Sequence, residues 1–139
     1  MAENLTEKPK ETPKYTILIV DDDKFLLGMY AVKFQKEGFE VITASDGGDA
    51  FAKLKDGLLP DVLILDIVMP VMDGLELLQK IRENHLTEKS IIIILSNQGQ
   101  SSDIEKAKKL GVDGYIVKAT TIPSEVLAEV NKILLAHKK

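Results

Sequence analysis

Asp66 ends the apolar run Val62-Leu63-Ile64-Leu65, and the stretch Met69-Pro70-Val71-Met72-Asp73-Gly74 follows almost at once. Two more carboxylates, Asp21 and Asp22, end the run from Tyr15 to Val20. Ser96 and Asn97 follow Ile91–Leu95, and Lys118 follows Gly114–Val117. Carboxylates, a hydroxyl and an ammonium at the tips of buried strands are the parts that phosphoryl transfer requires. A carboxylate can itself be the nucleophile and form an aspartyl-phosphate. The cation and the hydroxyl then stabilise the oxygens of the group being transferred. Asp66 is the best-placed nucleophile, because its strand is expected at the centre of the edge.

Charge balance adds a component. Carboxylates about 5 Å apart repel by roughly 3 kcal/mol per pair at an effective dielectric near 20. Lys118 sets one positive charge against the three negative charges of Asp21, Asp22 and Asp66. A divalent cation completes the set most simply. Oxygen donors without His or Cys point to Mg²⁺, usually held by one or two carboxylates plus waters and a phosphate.

These residues need a scaffold that brings strand ends together. Strands are predicted over 15–20, 39–44, 61–65, 91–95 and 114–117. Three are apolar at almost every position, which implies burial on both faces and a parallel sheet. Helices are predicted between them. The first places Phe25, Leu26, Met29, Tyr30, Val32 and Phe34 at helical spacings before Gly38, and Asp23 suits its N-cap. Asp46 opens a short helix, Gly74 to His85 forms a third, and Ser102-x-x-Glu105 is a capping box for a fourth that ends at Gly111. Pro123 suits the first turn of the last, with Val126, Leu127, Val130, Ile133 and Leu134 on one stripe. Asp73 is expected to be a turn residue. The expectation is α/β, a (βα)5 doubly wound five-stranded parallel sheet, flavodoxin-like, whose ligands bind at the carboxyl ends of the strands.

Composition narrows the function classes. The chain has 139 residues and a net charge of −4, contains no cysteine, and Arg82 is its only arginine. Without cysteine there is no disulfide framework or thiol nucleophile. Without a basic face or arginine forks, direct nucleic-acid binding is not expected. No signal pattern or membrane-length apolar stretch is present, so the expected location is the cytoplasm. Residues 1–14 are polar, lack apolar periodicity and carry Pro9 and Pro13, which predicts a disordered leader before one domain at 15–137.

Four motifs in order, each at a strand end, resemble the receiver domains of two-component response regulators. They are Ile19-Val20-Asp21-Asp22, Leu65-Asp66-Ile67-Val68-Met69-Pro70-Val71-Met72-Asp73-Gly74, Leu95-Ser96-Asn97 and Gly111-Val112-Asp113-Gly114-Tyr115-Ile116-Val117-Lys118. The resemblance implies that Asp66 is the phosphoacceptor and that Asp21 and Asp22 form the metal-holding pair. It also implies the Val68 backbone carbonyl as a further Mg²⁺ ligand. Ser96 and Lys118 match the hydroxyl and the lysine that meet the phosphoryl group, and Tyr115 matches the aromatic that follows Ser96. The implied partners are a sensor histidine kinase or phosphotransfer protein and a downstream protein target. The target would be met through the fourth helix, fifth strand and fifth helix, by a monomer or a phosphorylation-dependent dimer.

Val68, Asn97, Gln98 and Ala119 are the positions expected to modulate the site. Val68 cannot hydrogen-bond an attacking water, which predicts slow autodephosphorylation. Ala119 stands where the family has a proline after its lysine, and a cis bond without proline costs about 2.5–4 kcal/mol. The alternatives are weaker. A haloacid-dehalogenase-like Mg²⁺ phosphohydrolase needs a second Asp where Val68 stands. An FMN carrier needs a phosphate loop where Asp21-Asp22-Asp23 would repel one. A non-phosphorylated pseudo-receiver conflicts with the complete Asp66, Ser96 and Lys118 set. A receiver fragment of a larger regulator stays open beside a stand-alone receiver. Lys106, Lys108 and Lys109 read as a solvated helix face, and His85 and His137 carry no catalytic expectation.

Overall fold

The computed structural model describes residues 15–96, 101–118 and 122–137. The strands are β1 (Thr16–Val20), β2 (Glu40–Ala44), β3 (Val62–Asp66), β4 (Ile91–Ser96) and β5 (Gly114–Val117). The helices are α1 (Lys24–Lys36), α2 (Gly47–Lys55), α3 (Gly74–Glu83), α4 (Ser101–Lys109) and α5 (Pro123–His137). All pairings are parallel, in the order β2-β1-β3-β4-β5. This is the expected doubly wound sheet.

The continuous apolar runs have the predicted cause. Every residue of β3 and β4 is buried, as are the last four of β1. Their side chains alternate between two cores. Ile17, Ile19, Ile64 and Ile93 join Phe34, Val126 and Val130 beneath α1 and α5. Leu18, Leu63, Leu65 and Ile92 join Leu54, Leu77, Ile81 and Ala107 beneath α2, α3 and α4. Each such aliphatic side chain contributes about 1.5–3 kcal/mol. The sheet is therefore held from both faces, and its strand ends are fixed in register.

The structure corrects several local expectations. α1 buries Leu27, Tyr30 and Phe34, whereas Phe25, Met29 and Val32 are exposed. Its apolar residues span too wide an arc for one sheet face, and the positions at i, i+3 and i+7 took the core. Asp73 does more than turn the chain. It caps α3 by accepting from Glu76 N at 2.9 Å while Glu76 Oε1 accepts from Asp73 N at 3.0 Å. α4 already begins at Ser101, so Ser102 lies inside the first turn rather than at the cap. Asp66 and Ser96 are the last residues of their strands instead of following them. Asp23 and Asp46 cap α1 and α2 as expected. The leader 1–14 lies outside the described residues.

Gly74 controls how closely α3 approaches the end of β3. Its N–H donates to the Ile67 carbonyl at 2.8 Å, and a β-carbon there would lie 2.2 Å from the Asp66 carbonyl oxygen. Only glycine allows that approach. Gly28 in α1 has open space around the corresponding position. Equilibrium denaturation should show Gly74→Ala losing about 3 kcal/mol through overpacking and Gly28→Ala gaining about 0.5–1 kcal/mol through helix propensity. Equal effects of the two changes would refute this packing account.

Candidate functional site

Parallel register assembles the site. Val20 pairs with Leu65, and Asp66 pairs with Leu95. Asp21, one step past Val20, therefore lies level with Asp66. Ser96 pairs with Val117, so Lys118 enters one step beyond Ser96. Asp21 is held to the sheet by its N–H, which donates to the Ala44 carbonyl at 3.1 Å. Its Oδ1 accepts from Asp23 N at 2.9 Å, and Asp23 in turn caps α1 through Phe25 N and Leu26 N. The strand end and the helix start thus fix one another.

Lys118 Nζ donates to Asp21 Oδ2 at 2.9 Å and to Asp66 Oδ2 at 3.3 Å. All three side chains are buried. Oxygens of Asp21, Asp22 and Asp66 all lie within 4.8 Å of one another, and of the three only Asp22 is exposed. At that spacing each pair repels by about 3 kcal/mol at an effective dielectric near 20.

The ionisation of the site follows. Burial, and then the neighbouring Asp21 charge, push the Asp66 carboxyl up from 3.8 to about 6, although Lys118 opposes the rise. Burial alone would lower Lys118. Its hydrogen bond to Asp21 and the charges of Asp66 and Asp21 outweigh that, and its pKa is raised. The ammonium is therefore firmly charged while Asp66 is under strain as an anion. Three converging carboxylate oxygens with a surplus of negative charge fit a hard divalent cation with oxygen ligands.

The structure brings together Asp21, Asp22, Asp66 and Lys118, as the sequence predicts. Ser96 ends β4 and is buried. Tyr115 on β5 shares a side-chain hydrogen bond with it, and burial raises the Tyr115 hydroxyl pKa. Val68 lies in the loop after Asp66 with its side chain 67 % exposed. Asn97, Gln98 and Ala119, together with the Lys118–Ala119 peptide bond, lie outside the described residues.

Tyr30 is a residue that sequence reasoning treated only as core. It is buried on α1, and burial raises its hydroxyl pKa, as do the charges of Asp21, Asp66 and Asp23 against the opposing Lys118. Its helical spacing marked burial, and nothing in the linear order marked its closeness to the acids.

Comparison with known proteins agrees with this architecture. Residues 17–131 match the family model described as response regulator receiver domain. The chain is similar to the structure of the chemotaxis response regulator CheY4 of Vibrio cholerae, with TM-score 0.78 and 30% identity, covering 85% of this chain and 97% of that one. It is also similar to a structure of the CheX–CheY–BeF3–Mg²⁺ complex from Borrelia burgdorferi, with TM-score 0.78 and 32% identity, covering 88% and 90%. Among curated proteins it is 36% identical over 118 residues to the phosphate regulon transcriptional regulatory protein PhoB of Rhizobium meliloti, covering 85% of this chain and 51% of that protein. CpxR of Escherichia coli is likewise 36% identical over 118 residues, with 48% of its length covered. The chain spans about half the length of these curated relatives. With two-component relatives on every side and the acidic edge in place, the chain belongs to the response regulator receiver domain family.

Proposed function

We propose that residues 15–137 form a receiver that takes a phosphoryl group from a phosphohistidine of a sensor kinase or phosphotransfer protein onto Asp66. The observation that carries the reading is the buried Asp66 carboxylate hydrogen-bonded to Lys118 beside Asp21. An Asp66 carboxylate oxygen attacks phosphorus, the P–N bond to the donor imidazole breaks, and that nitrogen keeps the electron pair. Water later attacks phosphorus, releases inorganic phosphate and restores the carboxylate. These are steps on the protein itself, so the role is signalling rather than turnover of a separate substrate.

Asp21, Asp22, Asp66 and the Val68 backbone carbonyl would hold Mg²⁺. Bound there, it supplies positive charge to the phosphoryl oxygens. Lys118 pairs with one phosphoryl oxygen and Ser96 donates its hydroxyl to another. Tyr115, already hydrogen-bonded to Ser96, is placed to follow that hydroxyl. The face made by α4, β5 and α5 then presents the change to a downstream protein. Exposed Phe25 and Met29 on α1, beside the acidic edge, offer apolar surface to the phosphodonor.

A location in the cytoplasm is in keeping with the described residues, which include no helix long and apolar enough to cross a membrane. The same chemistry serves a stand-alone chain or the receiver part of a longer regulator. Its relatives include both curated proteins about twice this length and a CheY4 structure of which 97% is covered.

Treatment with acetyl phosphate and Mg²⁺, followed by intact mass measurement, should add one phosphoryl group to the wild type and none to Asp66→Asn. Equal labelling of both, or none on the wild type, would overturn the assignment.

A pH dependence follows from Asp66. Between pH 4 and 6 the folded chain binds more protons at Asp66 than the unfolded chain does, so this contribution to stability falls as pH rises through that window. At pH 7 in the absence of Mg²⁺ the full shift corresponds to about 3 kcal/mol. Asp66→Asn should then be more stable than the wild type by about 2 kcal/mol at pH 7, allowing for relaxation, with the advantage gone near pH 4. Denaturant titrations across pH test this, and a variant no more stable at pH 7 than at pH 4 contradicts it.

Val68 leaves an attacking water without a hydrogen-bond partner. Val68→Asn should speed decay of the acyl-phosphate by about tenfold, roughly the worth of one hydrogen bond. Phosphate release followed over time would show an unchanged rate if Val68 has no such effect.

A further inference from the structure

Strand alternation sorts the site residues by face, because side chains two apart in a strand point the same way. Ile19, Ile64 and Ile116 all belong to the core beneath α1 and α5. Asp21, Asp66 and Lys118 each stand two residues further on, so the buried ion cluster roofs that core. Ile94 belongs to the opposite core. Ser96, two residues on, is therefore turned to the other face, where Tyr115 bonds it.

Tyr30 belongs to the core under the cluster. α1 buries Leu27, Tyr30 and Phe34, and it starts at the acidic edge, where Asp23 joins its cap to Asp21. It ends at the opposite edge, where the Phe34 and Phe39 rings stand 5.1 Å apart. Helical side chains lean toward the N-terminus of their helix, which aims the Tyr30 phenol at the cluster. Burial is the largest influence on its hydroxyl pKa, which is raised. Of the charges acting on it, that of Lys118 is the strongest, ahead of Asp21, Asp66 and Asp23.

Hydrogen bonding connects the two residues. An ammonium has three hydrogens to donate. Lys118 directs one to Asp21 Oδ2 at 2.9 Å and one to Asp66 Oδ2 at 3.3 Å. The third meets no acceptor among the described residues, and the Tyr30 hydroxyl has no hydrogen bond among them either. The one side-chain N or O atom among them that is both unpaired and sealed is Thr87 Oγ1, so the Tyr30 oxygen keeps room for a water. An unpaired hydrogen on a buried ammonium is costly, and a water can join polar groups too far apart for a direct bond.

We infer that Tyr30 is a positioning residue for Lys118: its hydroxyl takes the third ammonium hydrogen through a bridging water and so holds Nζ at the rim of the cluster. This rests on Asp66 as phosphoacceptor. When Asp66 carries a phosphoryl group, Lys118 exchanges the Asp66 oxygen for a phosphoryl oxygen, while Asp21 and the Tyr30 tether keep its other two hydrogens. A phenyl ring in that place leaves the ammonium one partner short, and Nζ then swings away from the phosphoryl position.

NMR on the full chain tests this. In the wild type a nuclear Overhauser contact should join a Tyr30 ring proton to the Lys118 side chain. The Lys118 ammonium signal, assigned by its absence in Lys118→Arg, should exchange with water about tenfold faster in Tyr30→Phe, through loss of a hydrogen bond to a charged group. Fluorine NMR at saturating Mg²⁺ should show Tyr30→Phe binding beryllofluoride about tenfold more weakly. Mg²⁺ alone, held by the acids, should bind within about twofold of the wild type. Unchanged β1 and β3 amides show that the variant is folded, and the wild-type contact needs no variant. Absence of that contact overturns the positioning role, as does unaltered ammonium exchange or beryllofluoride affinity in folded Tyr30→Phe. An equal loss of Mg²⁺ and beryllofluoride binding marks a general loosening of the site and overturns it too. In each of these cases beryllofluoride bound to the wild type leaves the phosphoacceptor standing. Failure of the wild type to bind it overturns both.

Discussion

One buried ammonium bridges two buried carboxylates, and the site depends on that arrangement. Lys118 lies 2.9 Å from Asp21 and 3.3 Å from Asp66, yet Asp22 leaves the cluster with a surplus of negative charge. Desolvation makes that surplus costly, and Asp66 records the cost as a carboxyl pKa near 6. Removing Lys118 would leave buried charge without compensation. An added cation would offset that surplus.

The scaffold tolerates such a cluster because its backbone is closely determined nearby. Two cores clamp β1, β3 and β4 from both faces. The contact of Gly74 with the Asp66 carbonyl and the reciprocal cap between Asp73 and Glu76 set where α3 begins. Val71, fully exposed in the loop between them, adopts φ 68, which is unusual for a β-branched residue. Backbone strain of this kind, of order 1–3 kcal/mol, persists where surrounding structure enforces it. Here that structure is the rigid junction of β3 and α3.

Rigidity on the β3 side contrasts with α4. The same site edge borders one helix tied down by a capping box and buried leucines and another in which, from Ser102 to Lys109, Ala107 alone is buried.

The order of strands and helices was legible because two-sided burial leaves unbroken apolar runs and helix caps leave polar marks such as Asp23 and Asp46. The acids were legible because a carboxylate directly after a buried strand has few bland explanations. Where the apolar pattern was broad it misled, as with Phe25, Met29 and Val32, because spacing alone does not say which arc of α1 meets the sheet. Asp73 was read as a turn because it precedes Gly74, although Asp73-x-x-Glu76 has the capping-box spacing that was read at Ser102. What the sequence by itself determined was the fold class and the membership of the acidic edge, since both follow from local burial patterns. Only the tertiary structure decided the shared lysine between Asp21 and Asp66, the placement of Tyr30 and the hydrogen bonds from Arg82 to the Leu110 and Gly111 carbonyls. Each of these is a contact between distant segments, set by strand register and helix packing rather than by neighbours in the chain.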